Sequence, residues 1–385
     1  MALVHSFYRS SLPSGENSAV LQQFELLEEA GADVTLISVS TDELMQSALY
    51  PVRTAARVAR HAGEDPTEAL EMVDPDIVHL HNTFPNISSR WLRKRMWPLV
   101  GTIHNYRPVC SAGTLSRDGE LCTDCVDTST LSAIRHRCYR DSVLASTTMA
   151  IRTRQGTAGD PVLHYADQVL VPNDFMKETY AEIGFPNAKV LYQPSTLSPI
   201  SMRDTGTESG SWTFIGRLTP EKGLVKLLSS WPKSERLVVL GDGPEMVNAQ
   251  KISTSRGLSI DFRGFVKQSD LALELANSRG LVIPSIWREG APLVYGDAMA
   301  LGTPVVALQG SSVSQLVLQD GTGVVMSGLD SQGIERALKQ LDTNSLQYQA
   351  HCQSTYVLRY DPGLWLRSIR DIYSQVHAGL PGRGS

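Results

Sequence analysis

Short β-branched apolar runs alternate with longer stretches of helical periodicity along most of this chain. Val34 to Val39, Ile77 to His81, Leu99 to His104 and Gln168 to Val171 read as strands. Gln22 to Ala30 reads as an amphipathic helix closed by Gly31. A second series begins at Trp212 with WTFIG, then LVVLG at 237–241, SIDFRG at 259–264, GLVIP at 280–284 and PVVAL at 304–308. Strands that alternate with helices imply parallel sheets covered on both faces. Between the two series, Gln193 to Ser211 is rich in Ser, Thr, Pro and Gly and reads as a linker. The pattern predicts an α/β protein of two doubly wound, Rossmann-like domains, 1–192 and 212–361, facing each other across a cleft. The linker is 193–211, and 362–385 forms a last helix and tail, with Leu364, Trp365, Ile369 and Ile372 at helical spacing.

The length of 385 residues agrees with two domains, and 42 % apolar with 19 % charged residues is enough to build cores for both. A formal charge of −5 excludes nucleic acid as a partner for the whole surface. No apolar run is long enough for a membrane-spanning helix, and the first twenty residues lack the pattern of a signal peptide, so a cytoplasmic location is expected. Charge is unevenly spread: residues 88–154 hold eleven Lys and Arg against five Asp and Glu. The densest part, Arg90, Arg93, Lys94 and Arg95, is flanked by Trp91 and Trp97. Such a segment either holds a helix against anionic lipid, giving peripheral contact at the inner face of a membrane, or is a solvated face whose tryptophans pack inward.

The most informative stretch is FIGRLTPEKGLVKLL, from Phe214 to Leu228. A strand ends at Gly216, a turn follows, and a helix starts near Pro220, with Arg217 and Lys222 on either side of the turn. Ligands of open parallel sheets bind outside the carboxyl ends of the strands, where an arginine fork and a lysine charge suit a diphosphate. The second stretch, IPSIWREGAPLVYGDAMALGTPVV, places Glu289 after a buried strand and Asp297 about two turns into the next helix, with Gly290 allowing close backbone approach. These carboxylates either accept hydrogen bonds from sugar hydroxyls or are a helix-terminal charge and a surface residue.

FIGRLTPEKGL, VVLGDGPE, FRGFV and PSIWREGAPLVYGDAMALGTPVVA occur in the order found in family 4 of the retaining glycosyltransferases, which the chain resembles. VHSFYRSSLPSGENSAV, DPDIVHLHNTFPNIS and GTIHNYRPVCSAGTLSRDGELCTDC look like that family's N-terminal half. The resemblance reaches to about residue 330 and implies the GT-B fold and a nucleotide-diphospho-sugar donor. It assigns Arg217 and Lys222 to the diphosphate, Glu289 to the donor sugar, and Asp297 to the ribose, where the family usually has a glutamate. It makes His104 a contact to the donor sugar near the reacting carbon. Pro13, Ser14 and Gly15 form the loop after the first strand, where Gly15 lets backbone N–H groups approach a phosphate. Relatives often have two adjacent glycines there, and Glu16 stands in place of the second.

Asp74, Pro75 and Asp76 precede a strand at its amino end and read as a turn, so no metal is expected at the chemistry. Four of the five cysteines cluster as C-x11-C-x2-C-x12-C: Cys110, Cys122, Cys125 and Cys138. That spacing predicts a structural zinc held by four thiolates, favoured by nearby basic residues; the alternative is four buried free thiols. Cys352 is expected to pack within a helix.

The resemblance implies transfer of a hexose, with retention, to a hydroxyl of a sugar, lipid-linked or small-molecule acceptor, and the basic, tryptophan-flanked segment at 90–97 points to cell-surface polysaccharide or glycoconjugate synthesis. In that scheme Arg217 and Lys222 stabilise the leaving diphosphate, and no other cofactor is needed. Two other readings stay open: a nucleotide-sugar-binding protein without transfer activity, and a phosphorylase or epimerase of the same fold.

Overall fold

Alternate residues of the first strand point to opposite sides, and both sets are buried. Ala2 and Val4 of β1 (Ala2–Phe7) enter a core with Val78, Leu80 and Leu99, while Leu3 enters another with Ile77, Val100 and Leu170. A strand buried on both faces requires a covering layer on each, which is the condition of a parallel sheet. In the computed structural model, which describes all residues except 12–13, 48, 118–119, 200–209, 288, 291 and 380–385, that condition is met twice. The chain divides into two compact units, Met1–Tyr192 with Trp365–Ser385, and Gln193–Leu364.

The sheet of the first unit contains β1, β2 (Thr35–Ser40), β3 (Val78–Asn82), β4 (Leu99–Thr102), β5 (Gln168–Val171) and β6 (Ala188–Val190). All pairs are parallel, in the order β2-β1-β3-β4-β5-β6. The helix α1 (Gly15–Glu29) starts with Ser14 as its cap, and Gly31 beyond its end takes a left-handed conformation, φ 77°. The chain's last helix, Pro362–Ala378, places Trp365, Ile369, Ile372 and Tyr373 against Leu3, Leu27 and Val100. The end of the chain therefore supplies part of a layer of its first unit.

The second sheet contains β7 (Trp212–Ile215), β8 (Leu237–Leu240), β9 (Ile260–Gly264), β10 (Gly280–Ile283), β11 (Val305–Leu308) and β12 (Gly323–Met326). Its order, β9-β8-β7-β10-β11-β12, all parallel, is that of a Rossmann sheet. Trp212, Phe214, Val239, Val282 and Val306 fill its core with Leu224, Leu227 and Ile334.

Several expectations change. The strands β6 and β12 and the small hairpin Ser116–Arg117 with Glu120–Leu121 extend the sequence reading. The helix expected from Pro220 is a 3-10 turn, Pro220–Lys222, followed by a helix Leu224–Leu228, because Gly223 between them is left-handed at φ 76°. Residues 200–209 of the linker and Pro13 of the first loop lie outside the described residues. Asp74 caps the helix Thr67–Val73 at φ 40° and accepts a hydrogen bond from Trp97 Nε1 at 3.3 Å, so it belongs to a turn as expected.

The basic segment forms a 3-10 turn, Arg90–Lys94, and its tryptophans face the core: Trp91 is 6 % and Trp97 3 % exposed. Arg95 pairs with Asp167 at 2.5 Å. The reading in which these indoles rest in a lipid interface is thereby corrected; burying them inside the unit gains more apolar contact. No helix among the described residues is long and apolar enough to cross a membrane.

The last helix can be tested directly. Ile369→Ala leaves a cavity where the side chain is fully buried and is expected to cost about 2–5 kcal/mol, read as a lower urea midpoint of the first unit. An unchanged midpoint would mean that this helix is not part of that core.

Candidate active site

The order of the second sheet reverses between β7 and β10, and at that switch point the loops leaving the two carboxyl ends run side by side. Ile286 N–H donates to the Glu221 carbonyl at 3.0 Å. A Cβ on Gly223 would lie 2.1 Å from the Pro284 carbonyl oxygen, so only glycine permits both this approach and the left-handed turn. The two loops are locked together, and each brings one charged group. Lys222 Nζ meets Glu289 Oε2 at 2.7 Å, and the Ser285 hydroxyl donates to Glu289 Oε1 at 2.5 Å. The Glu289 side chain is 7 % exposed and that of Lys222 20 %. The Ser312 hydroxyl holds the Glu289 carbonyl at 2.9 Å.

Asp297 lies in the helix Leu293–Ala300 and accepts from the Ser195 hydroxyl at 2.6 Å; Ser195 is itself held by its N–H to the Tyr360 carbonyl. Burial pushes the Asp297 carboxyl up to about 6, against the pull of that hydroxyl. Asp297 is thus not the surface residue that the plainer sequence reading allowed, and Glu289, ahead of the same helix, is buried in its ion pair. Arg217 is exposed, with its guanidinium 3.9 Å from Glu221 and not paired with Glu289. The structure thus joins Lys222 to Glu289, seats Gly290 beside them in a buried position, and leaves Arg217 and Asp297 with other partners.

In the first unit Gly15 is the exposed first residue of α1. Glu16 follows it and binds the Tyr8 hydroxyl at 3.3 Å and the Asn105 amide at 3.2 Å, with burial pushing its carboxyl up to about 7. His104 follows β4, and its Nε2 lies 3.1 Å from His81 Nδ1. Burial, reinforced by His5 and His79, holds His104 down to about 3. The sequence reading selected His104 and missed His5, His79 and His81, although the i, i+2 spacing of VHLH already places two histidines on one face of a strand.

The four clustered cysteines are free thiols, and no group of three or more His, Cys, Asp or Glu among the described residues is arranged to hold a metal ion. The four-thiolate zinc centre expected from the spacing does not fit. Cys125 sits in a one-turn helix, Asp124–Asp127, and Cys138 beyond another, Leu131–Arg135. Burial and the neighbouring thiols push Cys125 up to about 12 and raise Cys138, so the environment favours thiols, contrary to the expectation that basic neighbours favour thiolates. Cys352 is buried in the helix Ser345–Thr355, its Sγ near the Thr303 and Thr322 carbonyls.

Residues 207–355 match the family described as glycosyl transferases group 1, and residues 14–195 match the glycosyl transferase 4-like domain. The chain belongs to the group 1 glycosyl transferases. It is similar to the phosphatidyl-myo-inositol mannosyltransferase of Mycobacterium leprae, 25 % identical over 96 % of this chain and 95 % of that protein. A GDP-mannose-dependent alpha-(1-6)-phosphatidylinositol monomannoside mannosyltransferase of Mycolicibacterium smegmatis is 28 % identical, but the match spans only 33 % of this chain and 37 % of that protein. Among solved structures it is similar to HepE of Anabaena in complex with UDP-glucose, with a TM-score of 0.62 at 17 % identity over 97 % of this chain and 100 % of the other. At that identity the likeness shows the fold, which is GT-B. This glycosyl transferase therefore has the fold class and the family that its motifs imply.

Two substitutions test the geometry of the second unit. Gly223→Ala forces a left-handed alanine, about 1–3 kcal/mol from conformation alone, and drives the two loops apart. A lowered urea midpoint is expected, and an unchanged one would refute the lock. Asp297 tests the electrostatics. A carboxyl raised by folding favours the folded state while protonated, so its contribution is present below pH 4 and lost as pH rises through about 6. Asp297→Asn is expected to remove that part of the fall in urea midpoint between pH 4 and 6; parallel profiles would refute the assignment.

Proposed function

We propose that this glycosyl transferase uses a nucleotide-diphospho-sugar and transfers its hexose to an acceptor hydroxyl with retention at the anomeric carbon. The observation that carries the reading is the Lys222–Glu289 pair at the switch point of the second sheet, with the exposed Arg217 on the same turn. An ammonium has three N–H donors, so Lys222 can keep Glu289 and still bond a phosphate oxygen. Arg217 adds a fork suited to a second phosphate oxygen. Glu289, held by Ser285 on one oxygen and Lys222 on the other, is fixed in orientation and keeps lone pairs for sugar hydroxyls. Asp297 serves the ribose.

In the reaction the bond between the anomeric carbon and the diphosphate oxygen breaks, and a bond to the acceptor oxygen forms on the same face. The acceptor's proton leaves with the diphosphate oxygen. Lys222 and Arg217 stabilise the charge that develops there, which is where preorganised electrostatics contributes most. The names of the mannosyltransferase relatives and the UDP-glucose complex support a nucleotide-sugar donor, and the relatives acting on phosphatidylinositol support a polyol or glycoconjugate acceptor. Synthesis of cell-surface glycoconjugates is the setting this reading favours. Trp91 and Trp97, being buried, lend no support to a membrane-bound acceptor.

The test is binding and slow hydrolysis of GDP-mannose, UDP-glucose and other UDP-, GDP-, TDP- and ADP-sugars. One donor is expected to bind, and Lys222→Ala to weaken its binding or turnover by roughly 10²-fold. Glu289→Gln is expected to impair turnover while sparing the free nucleotide. Binding of no donor would overturn the reading; binding without turnover across acceptors would support a nucleotide-sugar-binding protein instead.

A further inference from the structure

Strand alternation gathers four histidines on one face of the first sheet. His5 of β1, His79 and His81 of β3, and His104 just past β4 project to the side where Leu3, Ile77 and Val100 meet the last helix. Their rings form a continuous array: His79 and His81 have centroids 4.1 Å apart, and His81 and His104 5.4 Å at an interplanar angle of 24°. His5 meets His81 edge-on at 6.4 Å.

The hydrogen bonds decide where the ring protons are. Asn17 Oδ1 accepts from the Tyr8 N–H, which identifies it as the amide oxygen, so His5 Nε2 donates to it at 3.1 Å. The other nitrogen of His5, Nδ1, is sealed from solvent with no partner and must then be a bare lone pair. His81 presents the same situation. Its Nε2 is sealed and unpartnered, while its Nδ1 lies 3.1 Å from His104 Nε2. A sealed N–H without an acceptor is costlier and rarer than a sealed lone pair. The proton of His81 is therefore on Nδ1, and His104 Nε2 accepts it. His104 must carry its own proton on Nδ1, which has no partner among the described residues and is not sealed.

We propose that His81 is a positioning residue that fixes His104 as its Nδ1–H tautomer, so that His104 meets its substrate as a neutral hydrogen-bond donor and not as a base. The inference rests on the reading above only in making a sugar oxygen the partner of that N–H. The array is anchored at its far end, where His79 bonds the Tyr373 hydroxyl of the last helix and the Thr102 hydroxyl of β4, each at 2.7 Å. His81 is thus clamped between His79 and His104. Burial lowers His79 to about 3 and His81 well below the ordinary range, which keeps the array uncharged.

The experiment is ¹⁵N nuclear magnetic resonance of the full chain labelled at histidine, with His104 assigned by its loss in His104→Gln. In the wild type, Nδ1 is expected to resonate as a protonated nitrogen and Nε2 as a bare one. His81→Leu should release the ring to an averaged pair of tautomers. His81→Asn, whose amide N–H falls near the position of Nδ1, should restore the wild-type pattern. A wild-type His104 protonated on Nε2 would overturn the proposal without any variant, as would a pattern that His81→Leu leaves unchanged. Addition of GDP-mannose or UDP-glucose separates the two readings. If the expected tautomer is present but no donor shifts His104, the substrate role of His104 fails and the tautomer assignment stands.

Discussion

A carboxylate as buried as Glu289 has to be neutralised where it lies, and the second unit is built around doing so. Leaving one partner of such a pair uncompensated costs several kcal/mol, which exceeds most single contacts in a marginally stable domain. Lys222 supplies the charge and Ser285 the second hydrogen bond. Ser285 precedes Glu289 on the same loop, but Lys222 would not reach Glu289 unless the loops leaving β7 and β10 were in contact. That contact depends on Gly223 passing the Pro284 carbonyl and on the bond from Ile286 to Glu221. The adjacency of β7 and β10 in turn follows from the strand order, so the fold and the ion pair specify each other.

Much of this was legible beforehand, for a physical reason. A parallel sheet is buried on both sides, so its strands are continuous apolar runs and stand out in the sequence; WTFI, LVVL, GLVI and VVAL were all found that way. GVVM at the edge was missed; two of its four residues are only partly buried. The turn at Arg217–Lys222 was legible as a place, since Gly and Pro punctuate it. The pairing of Lys222 with Glu289 was not, because 67 residues separate them and only strand order brings them together. The association of the last helix with the first unit was hidden for the same reason.

The cysteines show the converse failure. Their spacing resembles that of metal sites, yet spacing along a chain constrains geometry only where the intervening segments are regular. Here a hairpin and two helices of four and five residues intervene, and although the four thiols are neighbours, no three of them are arranged to hold a metal ion among the described residues. Burial and the neighbouring thiols raise Cys125 and Cys138 as free thiols. The same reasoning explains the tryptophans of the basic segment. Four cations in six residues allowed either a lipid-anchored surface or a solvated face with inward tryptophans, and a 3-10 turn gives the second: Trp91 points inward while its charged neighbours bond outward, Arg95 to Asp167 among them.

The histidines were the least legible and the most regular feature. Strand periodicity fixes their shared face, but a strand reading assigns apolar residues to buried faces, so His5, His79 and His81 look like exceptions. Four imidazoles can occupy a buried layer because each can remain neutral with one donor and one acceptor, provided that the protons are distributed consistently. The bonds to Asn17, Thr102 and Tyr373 hold the rings of His5 and His79, and the sealed Nε2 of His81 sets the proton it gives to the ring at the strand terminus. A glycosyl transferase that relies on positioning gains from this arrangement: a donor whose tautomer is set by the core does not need to reorganise when the substrate arrives. In the first unit, burial of polar groups on one sheet face is therefore what makes the group at its edge chemically definite.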